Sequence, residues 1–186
     1  LRNSSAASDV YKRQGVVSDN LCDKIMDYSD NVKQLQKSTY STSTGKSDRS
    51  DERVKMDDGW FRNGEQYYNE IKDCFMVALK KYQEKHHDCL CQRYTDFRLN
   101  KYSEGGFMSR HIDNIHHSHG QTYGYPQLTA LLMLNDDYEG GNFLIAENEY
   151  ETAKGSAIVF PSNFMFPHAV KKVEKGTRYS IVTWLM

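Results

Sequence analysis

After Asp88 the chain becomes a succession of short apolar or alternating runs separated by turn residues, and this texture restricts the fold more than any other feature. The runs are Thr95–Tyr102, Leu128–Leu134, Asn142–Ile145, Ser156–Phe160, Pro167–Val173 and Arg178–Leu185, with Gly105-Gly106, Gly140-Gly141, Gly155 and Gly176 as punctuation. Runs of strand length with no helical pattern between them indicate an all-β sandwich or barrel rather than alternating β and α units.

Ahead of this region the periodicity is helical. Ser18, Asp19 and Asn20 offer N-caps, and Leu21, Cys22, Ile25, Met26 and Val32 follow at helix spacing. Over Glu65–Lys85, Tyr68, Ile71, Cys74, Phe75, Ala78, Leu79 and Tyr82 recur every three or four positions, which predicts a helix with one apolar face. Between Ser38 and Asp58, Ser, Thr, Asp, Lys and Gly dominate, so a long flexible loop is expected there, a candidate lid over a site. Residues 1–14 are Ser/Ala-rich and lack a targeting signal; they are expected to be a foreign or disordered tail. The fold class is α+β. One domain over 15–186 is expected, with helical support at about 18–87 and a jelly-roll core at about 92–186.

The 186 residues suffice for one sizeable core, and 13 Tyr, 8 Phe and 2 Trp argue against disorder. No apolar run approaches the ~18 residues that a membrane helix needs. Lys+Arg 24 against Asp+Glu 25 gives a net charge of −1, so nucleic acid is not an expected partner. Four cysteines without a secretory signal favour a reduced, cytoplasmic setting. Cys89-Leu90-Cys91, just after His86-His87, is too closely spaced for a usual zinc knuckle and reads as ordinary thiols. No oligomerisation signal is legible.

The chemistry resides in His111-Ile112-Asp113 and in His168, fifty-five positions beyond Asp113. If residues 110–113 are extended, side chains two apart share a face, so the imidazole and the carboxylate can reach one point. Two His and one carboxylate on one side of a metal leave the opposite positions open, an arrangement diagnostic of non-haem Fe(II) centres. Ten residues after His168, Arg178 opens a strand whose alternation places Arg178, Ser180, Val182 and Trp184 on one face. A guanidinium buried there needs a partner, and a carboxylate is its best geometric match.

On these pieces the stretch from about Asp96 to the C-terminus resembles the prolyl 4-hydroxylase-like branch of the Fe(II)/2-oxoglutarate-dependent dioxygenases, which have a double-stranded β-helix (jelly-roll, cupin-like) fold. The matching segments are 100–114, 128–135, 138–143, 154–161, 167–170 and 176–184, in the family's order. The resemblance implies that His111, Asp113 and His168 are iron ligands and that Arg178 meets the distal carboxylate of 2-oxoglutarate. It places Tyr102 near the cosubstrate, and Thr129, Leu131, Phe143, Val170 and Trp184 around the pocket. Met133 departs from the pattern, standing where some relatives carry a second cosubstrate-binding tyrosine. The implied reaction couples decarboxylation of 2-oxoglutarate by O2, giving succinate and CO2, to hydroxylation of a C–H bond, with ascorbate as a reductant. A prolyl residue of a peptide or protein is the leading substrate; a small molecule or nucleic acid is the alternative. The imidazoles bind metal in neutral form, so occupancy should weaken in acid.

Other classes fit parts of the pattern. A cupin-like metal-binding module would not call for Arg178, and a zinc hydrolase would need a general base beyond Asp113. His116, His117 and His119 read as part of a solvated loop that, with 38–58, should border the substrate entrance. Arg53, Lys55, Lys101, Arg110, Lys171, Lys172 and Lys175 read as ordinary surface.

Overall fold

The computed structural model describes residues 9–41, 47–48, 52–114 and 124–186. Among them the elements run β1 (Tyr11–Arg13), α1 (Asp19–Asn31), β2 (Gln36–Lys37), β3 (Tyr40–Ser41), β4 (Ser47–Asp48), β5 (Val54–Lys55), β6 (Asp57–Phe61) and α2 (Tyr68–Lys85). The strands then continue as β7 (Phe97–Tyr102), β8 (Phe107–His111), β9 (Leu128–Met133), β10 (Glu139–Gly140), β11 (Phe143–Ile145) and β12 (Asn148–Tyr150). The last four are β13 (Ala157–Pro161), β14 (His168–Val170), β15 (Val173–Lys175) and β16 (Arg178–Leu185).

Two antiparallel sheets carry the architecture. The larger has the order β1-β13-β9-β16-β7-β6-β2, and the smaller β12-β11-β14-β8-β5. Alternation along the strands of the larger sheet divides their side chains between two cores. Leu128, Ala130 and Leu132 of β9, Ala157 and Val159 of β13, and Tyr179, Ile181 and Leu185 of β16 join the helices in one cluster. Leu131 and Met133, Ile158 and Phe160, and Val182 and Trp184 face the smaller sheet in the other. This double-stranded β-helix accounts for the near-continuous apolar runs, since both faces of the central strands are covered.

The helices form where expected, with small shifts. Ser18 caps α1, its Oγ accepting from the Leu21 N–H at 3.3 Å, and Cys22 and Ile25 are buried. Val32 falls at the C-cap and is exposed, outside the apolar face. α2 starts at Tyr68 rather than Glu65, because the Glu65 N–H closes a turn on the Arg62 carbonyl at 2.9 Å. Its buried face, Tyr68, Ile71, Phe75, Ala78, Leu79 and Tyr82, packs against β13, β9 and β7.

Three expectations need correction. Residues 11–13 are not apart from the fold: β1 pairs with β13, Tyr11 opposite Val159 and Arg13 opposite Ala157. Residues 1–8 lie outside the described residues. The segment expected to be one flexible loop over 38–58 instead supplies β5, paired with β8, and the start of β6, paired with β7. Its few apolar residues include Val54 of the edge strand β5 and Met56 between β5 and β6, both buried in the inner cluster. Residues 42–46 and 49–51 lie outside the described residues. The helical support is thus a helix-and-strand unit that extends both sheets.

Among the described residues, no helix is long and apolar enough to cross a membrane. All four cysteines are free thiols, with Cys89 Sγ and Cys91 Sγ 3.7 Å apart.

Candidate metal centre and its pocket

β8 and β14 pair with His111 opposite His168, which places the two imidazoles side by side with ring centroids 4.2 Å apart. β8 ends at His111, and Asp113 follows in a bend rather than in an extended strand. Its carboxylate still reaches both rings: Oδ1 lies 3.5 Å from His111 Nε2 and Oδ2 lies 3.3 Å from His168 Nε2. The three candidate ligand atoms lie within 4.8 Å of one another, the one such group among the described residues.

The protons on the rings follow from their other contacts. His111 Nδ1 is 2.9 Å from the Ser109 carbonyl and His168 Nδ1 is 3.2 Å from the Phe166 carbonyl. A carbonyl oxygen only accepts, so each Nδ1 carries an N–H, which leaves each Nε2, facing Asp113, as the ring atom available to a metal. Burial, then the neighbouring His168, hold the His111 pKa below its ordinary value. Burial opposes ionisation of Asp113, but the facing imidazoles, His168 foremost, hold its carboxyl well below the usual range. Two imidazole nitrogens and a carboxylate converging within this range are a donor set that fits a divalent metal with open positions opposite.

Thr129 fixes the carboxylate. Its hydroxyl lies 2.7 Å from Asp113 Oδ2, to which it donates, and 2.8 Å from Ser162 Oγ. Partners of this kind typically change metal affinity by about 10–100-fold. Thr129→Val is therefore expected to weaken Mn(II) binding by about tenfold or more, and Asp113→Ala to abolish it, as read by calorimetry. Unchanged affinity in Thr129→Val would show that the hydroxyl does not orient the ligand.

The triad opens into a pocket lined also by Tyr102, Leu131, Phe143, Val170, Val182 and Trp184. All six residues expected around it from the sequence, Tyr102, Thr129, Leu131, Phe143, Val170 and Trp184, line it. Arg178 is fully buried on the same face of β16 as Val182 and Trp184, its Cζ 5.3 Å from the centre of the Tyr102 ring. Nη1 donates to Ser180 Oγ at 3.0 Å and Nη2 meets Met133 Sδ at 3.4 Å. Nε has no partner, and no carboxylate pairs with the guanidinium among the described residues. A thioether is a weak acceptor, so Met133 leaves most of the charge unsatisfied.

Arg98, Asn100 and Met108 also line the pocket, and Ser162 holds Thr129; none was expected from the sequence. For Arg98 and Asn100 a signal was present, because alternation on β7 puts both on the face of Tyr102. His116, His117 and His119 lie outside the described residues.

With this geometry in place, residues 97–186, just under half of the chain, match the 2OG-Fe(II) oxygenase superfamily. The chain is 30% identical over 123 residues to a PKHD-type hydroxylase of Stenotrophomonas maltophilia, a match covering 62% of this chain and 54% of the relative. It is 38% identical over 69 residues to human prolyl 3-hydroxylase 2, covering 33% of this chain and 10% of that protein. The chain thus spans about half of the bacterial relative and a small part of the human one. The fold is that of a prolyl hydroxylase from Trichoplax adhaerens solved with a hypoxia inducible factor peptide fragment, with TM-score 0.75, 17% identity, and coverage of 96% of this chain and 83% of that one.

Proposed function

We propose that this chain is a non-haem Fe(II)- and 2-oxoglutarate-dependent dioxygenase that hydroxylates a prolyl residue of a peptide or protein. The observation that carries the reading is a pocket that holds a His-Asp-His set and has, against its lining residue Tyr102, the fully buried Arg178 guanidinium without a carboxylate partner among the described residues. A dicarboxylate that ligates a metal at one end and meets Arg178 at the other satisfies both. Fe(II), when bound, supplies the activation of O2 that the side chains cannot.

The chain's own residues do the rest. His111, Asp113 and His168 would hold the metal, and the pocket lies on the side they leave free. Arg178 sets the pose of 2-oxoglutarate, with Tyr102 packed against its guanidinium. Leu131, Phe143, Val170, Val182 and Trp184 keep the site dry, which suppresses side reactions of a strong oxidant. The prolyl assignment is supported by the similarity to prolyl 3-hydroxylase 2 and by the peptide carried in the Trichoplax structure. The free thiols are in keeping with a reducing, cytoplasmic compartment.

Purified protein charged anaerobically with Fe(II) and ascorbate, then given 2-oxoglutarate, O2 and proline-containing peptides, should release succinate and add one oxygen to the peptide by mass spectrometry. Succinate without peptide oxidation would point to a small-molecule or nucleic-acid substrate. No succinate under any condition would favour a cupin-like binding module.

A further inference from the structure

A second guanidinium, that of Arg98, lines the pocket itself. On β7, Arg98, Asn100 and Tyr102 face the pocket while Phe97 and Leu99 face the helices. Arg98 is half-buried with its Cζ 4.8 Å from the centre of the Trp184 ring, and Trp60, its cross-strand partner on β6, lies 6.2 Å from Trp184. Arg98 makes no ion pair among the described residues, and its Nε is enclosed without a hydrogen-bond partner. Asn100 is 3% exposed, and its Oδ1 is likewise enclosed without a partner. A buried donor and a buried acceptor left without partners on one strand face each cost free energy. A ligand offering the complementary pair would recover it.

This pair is separate from the Arg178 end. Arg98 aligns through β7 with Val182 of β16, four residues from Arg178, or about 13 Å at the rise of a strand. Trp184, on which Arg98 stacks, is in register with Thr129, which holds Asp113. Arg98 therefore belongs to the metal end of the pocket, where a substrate carbon must lie, and one small dicarboxylate cannot serve both guanidiniums.

Resting on the oxygenase reading above, we propose that Arg98 and Asn100 form a substrate-recognition site for an acidic peptide residue. The guanidinium, lying over the Trp184 ring, receives the carboxylate, and the Asn100 carboxamide oxygen accepts a peptide N–H of the same segment. Arg98 is the specificity-determining residue, selecting substrates with a negative charge next to the oxidised position.

The chain has 2 Trp, Trp60 and Trp184, and both flank Arg98, so intrinsic fluorescence reports directly on this site. The protein is loaded with Mn(II) and saturating 2-oxoglutarate, which fills the Arg178 end without turnover. It is then titrated with acetyl-Glu-Pro-Glu amide, its Gln isostere, and N-acetylglutamate. Wild type should bind the acidic peptide about tenfold more tightly than the Gln peptide, as expected for one charge-assisted hydrogen-bonded contact. Arg98→Gln should equalise the two peptides, and Arg98→Lys should keep a smaller preference. Equal binding of both peptides by wild type overturns the proposal without reference to any variant, as does a preference that survives Arg98→Gln. N-acetylglutamate binding as tightly as the acidic peptide would retain the carboxylate site and overturn its assignment to a peptide. A retained acidic preference without succinate release would sink the oxygenase reading and leave this site standing.

Discussion

Replacing Arg178 with alanine is expected to weaken 2-oxoglutarate binding by about two to three orders of magnitude, the usual cost of removing one partner of a buried charge pair. The cosubstrate-free protein should nevertheless melt near its original temperature. The side chain is fully buried, and its contacts are a serine hydroxyl, a thioether and the face of Tyr102. None of these repays the desolvation of a guanidinium, so the free protein already bears the cost of an uncompensated charge. Truncation relieves that cost while opening a cavity, and the two effects oppose one another. Calorimetry should show the binding loss, and a thermal-shift assay should show that 2-oxoglutarate no longer raises the melting temperature. A variant still stabilised by 2-oxoglutarate as strongly as wild type would remove Arg178 from the cosubstrate site.

The largest effect on stability is expected far from the pocket. Phe97 is fully buried where β7 meets α2, with Tyr68, Phe75 and Tyr94 at ring-centroid distances of 4.9, 5.3 and 5.8 Å. Phe97→Ala removes the ring at the centre of this group and is expected to cost about 3–5 kcal/mol. In a domain of this size, that lowers the melting temperature by on the order of 10 °C. The metal set lies between the two sheets rather than against the helices, so Mn(II) affinity of the folded variant should be unchanged. A loss below about 1 kcal/mol in chemical denaturation would mean that the helices are not anchored through this residue.

The residues in and around the pocket were unequally legible in the sequence. His111, Asp113, His168 and Arg178 could be read because chemistry demands those side-chain types and strand alternation constrains their spacing. Arg98 lies on a strand that was also legible, yet an arginine there reads as surface until both sheets are in place. Cover on the pocket side comes from Trp60 and Trp184, thirty-eight and eighty-six positions away from Arg98 in the chain. The same holds for Ser162, a serine among many until Thr129 is seen to bond it.

Short strands mark the other boundary. The edge strands β1 and β5, and the polar start of β6, are too brief to show a period, and they pair with strands distant in sequence. Alternation over five or more residues, helix periodicity and ligand chemistry are local properties, and the sequence by itself determined what rests on them: two helices, the central strands of a double-stranded β-helix, and the His-Asp-His set with its arginine. Edge pairing, the protonation of the two imidazoles and the unsatisfied polar face of Arg98 and Asn100 were decided by tertiary structure alone, because each depends on a partner that only folding brings within hydrogen-bond reach.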